Sequence, residues 1–477
     1  MLFNSLEFLI FYPVVTLVYY LLAQKYRWVW LLAASCYFYM FFKPIYILIL
    51  GGTIVIDYFV GLNLVKFQGQ KRKWLLVASI IANVGILAIF KYYNFFVDNM
   101  NSVLTTAGVH GKFSYLDILL PIGLSFHTFQ AMSYTIEVYR GNQQPEKHFG
   151  IYALYVMFYP QLVAGPIERP QSMLHQFKEK KYFIEENVLY GLKLMLWGFF
   201  KKIVVADRLA VFVGNAYDNY VNQTGSTLLL ATFFFAVQIY CDFSGYSDIA
   251  RGAAKTMGFD LMINFRRPYL AANITDFWRR WHISLSSWFK DYVYYPLGGN
   301  KVALMKWCSN ILIVFLLSGI WHGANWTFVI WGLIHGVVTI AHKLLVKLEE
   351  KQGLTALKQL FSIFSWKPLA VLLNFAIVTF AWVFFRAANV GQAFDILAKM
   401  FLHANQPAFG KTGGWMLLAF TGIIVVLAAD MAEEYKLKYK LLFNKNAAIG
   451  MASALMLSLS ILLFGIFRNT SFIYFQF

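Results

Sequence analysis

The amino-acid sequence predicts an all-α protein that crosses a membrane many times, and three observations carry that prediction. Of its 477 residues, 59% are hydrophobic and 13% charged, with mean hydropathy +0.57, whereas a soluble domain has about 25% charged residues. Apolar runs recur from end to end, at residues 9–23, 28–42, 45–65, 74–90, 228–240, 369–385, 415–429 and 447–466. Most approach the roughly 20 residues that a helix needs to cross hydrocarbon. The runs are continuous, which excludes the alternating rhythm of a membrane β-barrel and leaves helices.

Taken in order, the runs are separated by loops of alternating charge. Residues 1–6 hold no Lys or Arg, so the first run is expected to be retained, not cleaved. Basic residues follow at Lys25 and Arg27, then Lys66, Lys71, Arg72 and Lys73. Arg140 and Lys147 come after an apolar run at 118–134, and Lys178, Lys180 and Lys181 surround Glu179. Between Arg251 and Lys306 there are nine Lys/Arg against three Asp. Lys343, Lys347 and Lys351 follow a later run, and Lys436, Lys438, Lys440 and Lys445 form the last cluster. Loops 99–111 and 218–226 hold no Lys or Arg. Basic loops stay in the cytoplasm, which puts the N-terminus outside and gives about eleven spans. Residues 149–165 are apolar but broken by Pro160, and are expected to form a re-entrant or interfacial piece buried against protein. Residues 188–213 carry Lys193, Lys201, Lys202, Asp207 and Arg208, so they either lie at the interface or cross while facing polar protein. Residues 259–305 form the least membrane-like stretch, cytoplasmic or interfacial, with short helices, one starting at an Asn273 cap. The whole chain reads as one domain, 1–477.

The net charge of +18 would suggest nucleic acid in a soluble domain. Here it is the positive-inside signal plus attraction to anionic lipid, so lipids are expected partners and nucleic acid is not. Cys36, Cys241 and Cys308 have mostly apolar neighbours and no metal or redox spacing. No HExxH, GxSxG or glycine-rich phosphate loop is present, which argues against a metalloprotease, a serine hydrolase or a nucleotide-driven pump. No metal and no resident cofactor is expected.

Three constellations could carry chemistry. His322, in SGIWHGANW at residues 318–326, lies between the apolar runs 310–317 and 326–340. An ionisable group at that depth is costly and is by default a functional candidate. Asn325 shares its face if the segment is helical, and could orient the ring or donate to an oxyanion. The plainer reading is a packing histidine bonded to a neighbouring carbonyl. The second constellation is DFWRRWHISLS at 276–286, where Asp276 and Arg280 are spaced for an ion pair and Trp278 and His282 for a shared face. Its plainer reading is an interfacial amphipathic helix. The third, QIYCDFSGYSD at 238–248, places Asp242 and Asp248 at the end of an apolar run, which favours a helix terminus with capping side chains. These acids could also pair with the basic cluster that follows. His127, His335 and His342 lie in or near spans and read as packing residues, while His110, His148, His175 and His403 fall in loops.

Residues 277–301 (FWRRWHISLSSWFKDYVYYPLGGNK) together with 318–326 resemble the membrane-bound O-acyltransferase family. PIGLSFHTFQ at 121–130, VAGPIERP at 163–170 and QIYCDFSGYSDIARG at 238–252 extend the resemblance over most of the chain, and YYPLGGNK is similar to the alginate O-acetylation branch. His127 stands where that pattern leads one to expect an aromatic residue, and no role is assigned to it. The resemblance implies a ring of helices around a central funnel, with His322 as the essential histidine and His282 as a second, less uniformly required one. It also implies a cytoplasmic acyl thioester as donor and, as acceptor, an exported polysaccharide or a periplasmic or extracellular SGNH-type acetyltransferase.

The expected chemistry is acyl transfer, most simply acetyl transfer from acetyl-CoA. Donor phosphates would suit Arg266, Arg267, Arg279 and Arg280, and the pantetheine arm would thread to His322, the general base. The competing readings are a polyanionic-glycan exporter or channel and a scaffold without chemistry of its own. A bacterial cytoplasmic membrane is the expected location.

Overall fold

The structure is a computed structural model that describes residues 1–109, 111–117, 120–352, 366–402, 413–437, 442–444, 446–467 and 472–473. His110, Ile118, His403, Lys438, Lys440 and Lys445 lie outside the described residues. All extended regular structure among those described is helical. Eight helical stretches are long and apolar enough to cross a membrane: Tyr46–Leu64, Gly69–Thr106, Gly225–Thr256, Leu304–His322, Trp326–Leu348, Lys367–Arg386, Gly414–Glu434 and Ala447–Phe464. Leu6–Leu21 is a shorter apolar helix. The chain is therefore a polytopic all-α membrane protein.

The helices group into two compact units. Residues 1–195 and 246–262 form the first. It holds α1 (Leu6–Leu21), α2 (Gln24–Met40), α3 (Tyr46–Leu64), α4 (Gly69–Leu87), α5 (Tyr93–Thr106), α6 (Leu124–Arg140), α7 (Phe149–Met157), α8 (Tyr159–Leu162), α9 (Pro170–Lys178) and most of α10 (Glu185–Phe199). The broken segment behaves as its proline predicts. The nine residues of α7 rise about 14 Å, too short to cross. Phe158 (ψ 113°) interrupts the helix ahead of Pro160, and residues 150–168 are buried. Among α3, α4 and α6, buried Asp57 accepts hydrogen bonds from Ser79 Oγ (2.5 Å) and Asn83 Nδ2 (2.8 Å). An apolar surround makes such pairing necessary.

Residues 196–245 and 263–477 form the second unit. It contains α11 (Asp207–Asp218), the first part of α12 (Gly225–Thr256), α13 (Ile274–Arg280), α14 (Ile283–Phe289), α15 (Leu304–His322), α16 (Trp326–Gln352), α17 (Lys367–Arg386), α18 (Val390–Leu402), α19 (Gly413–Glu434) and α20 (Ala447–Phe464). A π-helical stretch, Phe200–Ala206, joins α10 to α11. Lys201 and Lys202 on this stretch and Asp207 at the start of α11 are buried against polar protein. Lys202 Nζ bridges Asp207 (2.8 Å) and Asp242 (2.6 Å), whose other oxygen accepts Ile473 N at 2.8 Å. α15 and α16 pack closely because Gly319 and Gly332 leave room for the carbonyls of Phe328 and Phe315.

Candidate active site

His322 is the last residue of α15. The helix stops there because Gly323 turns extended (φ −161°, ψ 152°), in a place where a Cβ would overlap the Phe328 ring. The imidazole is 4% exposed. Its ring centroid lies 4.9 Å from Trp321, 5.1 Å from Trp331 and 5.2 Å from Phe385, all near perpendicular. These edges and faces fix its orientation without taking a proton.

His282 sits at the next interruption. Helix α13 ends at Arg280, Trp281 is extended, and His282 takes the left-handed conformation (φ 43°, ψ 55°). For a residue with a Cβ this conformation is strained, and such strain persists where surrounding packing enforces it. The ring is fully buried, 4.6 Å from Phe243 and 6.1 Å from Trp321. Trp321 therefore contacts both histidines. Burial drives the His282 pKa down to about 3, so this imidazole is neutral at physiological pH. Its Nδ1 lies 3.3 Å from Asn264 Oδ1, which also accepts from Ser284 Oγ (2.8 Å) and Ser284 N (3.1 Å). A proton on Nδ1 leaves the lone pair on Nε2.

Several expected neighbours stand elsewhere. Asn325 does not share a helical face with His322, because the chain between them is not helical. Its amide nitrogen donates to Ala388 O (2.8 Å), just after α17, and its oxygen accepts from Thr327 N (3.0 Å) at the start of α16, so both ends are taken. Trp278 and His282 likewise share no helical face, since α13 ends between them. Asp242 does not end a helix: α12 continues to Thr256, and the carboxylate pairs with Lys202, not with the downstream basic cluster. Asp248 does reach that cluster, at Arg251 (3.5 Å). The Asn273 cap and the Asp276–Arg280 pair (2.9 Å) form as the spacing predicts.

The four arginines separate into two kinds. Arg267 bonds Glu434 (2.9 Å) and Glu433 (3.0 Å), and Arg280 bonds Glu434 (3.0 Å) as well as Asp276. These two fasten residues 267–280 to the end of α19. Arg266 and Arg279 are exposed, with no ion pair among the described residues. Of the four, Arg266 and Arg279 alone leave the guanidinium without an ion pair among the described residues.

Sequence reasoning missed two features. Asn264, 1% exposed, had no signal beyond its place in the polar stretch. The other is a face of α16 made by Thr327, Trp331, His335 and Thr339, four residues apart. Trp331 and His335 meet Trp278 at 5.8 and 5.0 Å. Among the described residues, Trp278 Nε1, Trp331 Nε1, both His335 nitrogens and the Thr327 and Thr339 hydroxyls have no hydrogen-bond partner. Buried polar atoms of this kind ordinarily meet protein, water or ligand. His335 was expected only to pack. Of the remaining histidines, His148 caps α7, His342 bonds Thr275 (3.0 Å), His175 bonds Gln171 O (2.9 Å), and His127 is buried in the first unit.

Comparison with known proteins places the chain in a family. Residues 146–391 match the membrane-bound O-acyltransferase family, a span that includes both histidines. The chain is 38% identical over 435 residues to a peptidoglycan O-acetyltransferase of Helicobacter pylori, covering 84% of this chain and 80% of that protein. It is 37% identical over 406 residues to the "Probable alginate O-acetylase AlgI" of Pseudomonas aeruginosa, covering 84% and 75%. A teichoic acid D-alanyltransferase of Bacillus subtilis is 28% identical over 285 residues, covering 55% and 68%.

Proposed function

This chain belongs to the membrane-bound O-acyltransferase family, and we propose that it transfers an acetyl group from a cytoplasmic thioester to an exported glycan. The acceptor is a hydroxyl of a cell-wall or secreted polysaccharide, reached directly or through an SGNH-type partner. The membrane is the cytoplasmic membrane of a bacterium. The names of the relatives support acyl transfer to such polymers, with acetyl favoured by two relatives that match over 84% of this chain. The observation that carries the reading is the pair of buried imidazoles on Trp321, at two places where helices break off. A packing role alone leaves unexplained why two ionisable rings are buried at these breaks.

In this mechanism His322 takes the proton of the acceptor hydroxyl as its oxygen attacks the thioester carbonyl. The tetrahedral adduct collapses, the C–S bond breaks, and the proton passes from the imidazolium to the departing thiolate. Neutral His282, oriented by Asn264, supplies a second polar group beside the reacting centre. Acetyl-CoA suits the donor role. Its phosphates meet Arg266 and Arg279, and the amides of its pantetheine arm suit the polar atoms of Trp278, Trp331, His335 and Thr339. No acyl-enzyme is required, since the thioester is already activated.

The test is transfer of labelled acetyl from acetyl-CoA to glycan in membranes carrying equal amounts of wild type or His322→Ala. Loss of a general base predicts a fall of about 10²–10⁴-fold. Transfer within a few-fold of wild type would leave His322 a packing residue and return the chain to a scaffold or exporter.

A further inference from the structure

We infer that Asn264, not Asn325, supplies the amide that stabilises the oxyanion of acyl transfer, acting through its Nδ2. The inference rests on the acyl-transfer reading above and adds a residue to it.

The orientation of the Asn264 side chain is fixed by its partners. Oδ1 faces the Ser284 backbone N–H at 3.1 Å. A flipped amide would set donor against donor there, so the assignment follows from chemistry and not from choice. Ser284 Oγ at 2.8 Å and His282 Nδ1 at 3.3 Å converge on the same oxygen. The backbone is held too: Asn264 O accepts Ile283 N at 2.9 Å, and Arg266 N donates to Arg280 O at 2.9 Å. The side chain cannot turn without breaking this set.

Nδ2 then points away from Ser284. It is buried, and among the described residues it meets no acceptor. A buried amide donor left unpaired is costly, and a rigid donor waiting for an acceptor is the arrangement that stabilises developing negative charge. Its setting matches the use. The imidazole it orients touches Trp321, and Trp321 touches His322. The reaction produces one new anion, on the former carbonyl oxygen, when the hydroxyl oxygen adds to carbon and His322 takes the proton. Asn264 Nδ2 donates to that oxygen, and the bond weakens again when C–S cleavage restores the carbonyl. Asn325 cannot do this while capping α16 and holding Ala388.

The experiment compares acetyl-CoA with its dithioacetyl analogue, in which sulfur replaces the carbonyl oxygen and accepts hydrogen bonds poorly. Wild type, Asn264→Asp and Ser284→Ala are assayed in membranes for acyl transfer to glycan. Asn264→Asp keeps an oxygen for Ser284 but loses the N–H donors, so kcat with acetyl-CoA falls about 10²–10³-fold. Its donor KM is unchanged, and the preference for oxygen over sulfur collapses. Ser284→Ala keeps Nδ2 but loosens its aim, and loses part of the preference; it serves as the readout if Asn264→Asp does not fold. A merely structural Asn264 would slow both donors equally, and an unchanged oxygen-to-sulfur ratio in a folded variant overturns the inference. Failure of wild type to use acetyl-CoA at all would instead overturn the acyl-transfer reading, and the inference with it.

Discussion

Replacing Lys202 by methionine is the sharpest perturbation of the second unit. Lys202, Asp207 and Asp242 are 4%, 2% and 3% exposed, and the ammonium lies 2.8 and 2.6 Å from the two carboxylates. One cation therefore serves two anions in a place with little water. Removing it takes from both buried acids the cation that they share. Loss of one partner of a buried pair costs about 3–5 kcal/mol, and here one substitution removes a contact from each of two acids. Lys202→Met should lower the thermal midpoint of the detergent-solubilised protein by several degrees, read by loss of the monodisperse peak after heating. Asp242→Asn should cost less, about 1–3 kcal/mol, since it leaves the Lys202–Asp207 pair intact, turns the Lys202–Asp242 ion pair into a bond to a neutral amide, and keeps an oxygen for Ile473 N. Lys255→Ala is the control. Its pair with Asp260 is also 2.8 Å, but Asp260 is 72% exposed, so it is worth under about 1 kcal/mol. The damage should also reach the site, because Asp242 precedes Phe243, the ring at 4.6 Å from His282. A Lys202→Met protein that melts with wild type would refute this reasoning, for the lysine would then not hold the acids.

Two further outcomes follow from the same accounting of partners. Arg279→Ala should raise the donor KM several-fold at unchanged melting temperature, measured by acetyl-CoA saturation. Arg280→Ala should do the reverse, costing roughly 1–2 kcal/mol of stability through loss of Asp276 and Glu434 with little change in donor saturation. In the first unit, burial raises the Glu168 pKa from 4.5 to about 7, against the opposing bonds from Met262 N and Ser172 Oγ. A carboxyl held above its unfolded value binds its proton more tightly when folded. Stability should therefore fall between pH 4.5 and about 7 and level off above. The fall is at most about 3 kcal/mol for that shift. Glu168→Gln, whose amide can keep both bonds, should flatten the slope in melting curves taken from pH 5 to 8.

The fold class was legible because lipid imposes a simple rule on composition. Long apolar runs must be helices, and residues 45–65, 369–385 and 447–466 lie on α3, α17 and α20 almost end to end. The rule fails where a helix runs on into polar sequence. Asp242 looked like a terminus because polar residues follow the apolar run, yet α12 carries on to Thr256. The buried side of that polar stretch is paid for by Lys202, forty residues earlier in the chain. Composition reports how many charges a segment carries. It does not report which other segment neutralises them.

The candidate site was legible in its histidines and in Arg266 and Arg279 but not in the partners of the rings, and the reason is geometric. Spacing rules such as i,i+3 and i,i+4 assume a continuous helix. They succeeded for Asp276 with Arg280, which lie inside α13. They failed for His322 with Asn325 and for Trp278 with His282, because each pair straddles a break. The breaks are what make the site: Gly323 ends a span beneath one imidazole, and the left-handed turn at His282 swings the other onto Asn264 and Phe243. A residue that matters because of a break takes its partners from distant sequence. Asn264 is eighteen positions from the ring it orients and Phe385 sixty-three from the ring it packs on, so neither carries a local pattern. The amide suited to an oxyanion is then better sought beside a reactive ring in space than beside it in sequence, which is why the choice moves from Asn325 to Asn264.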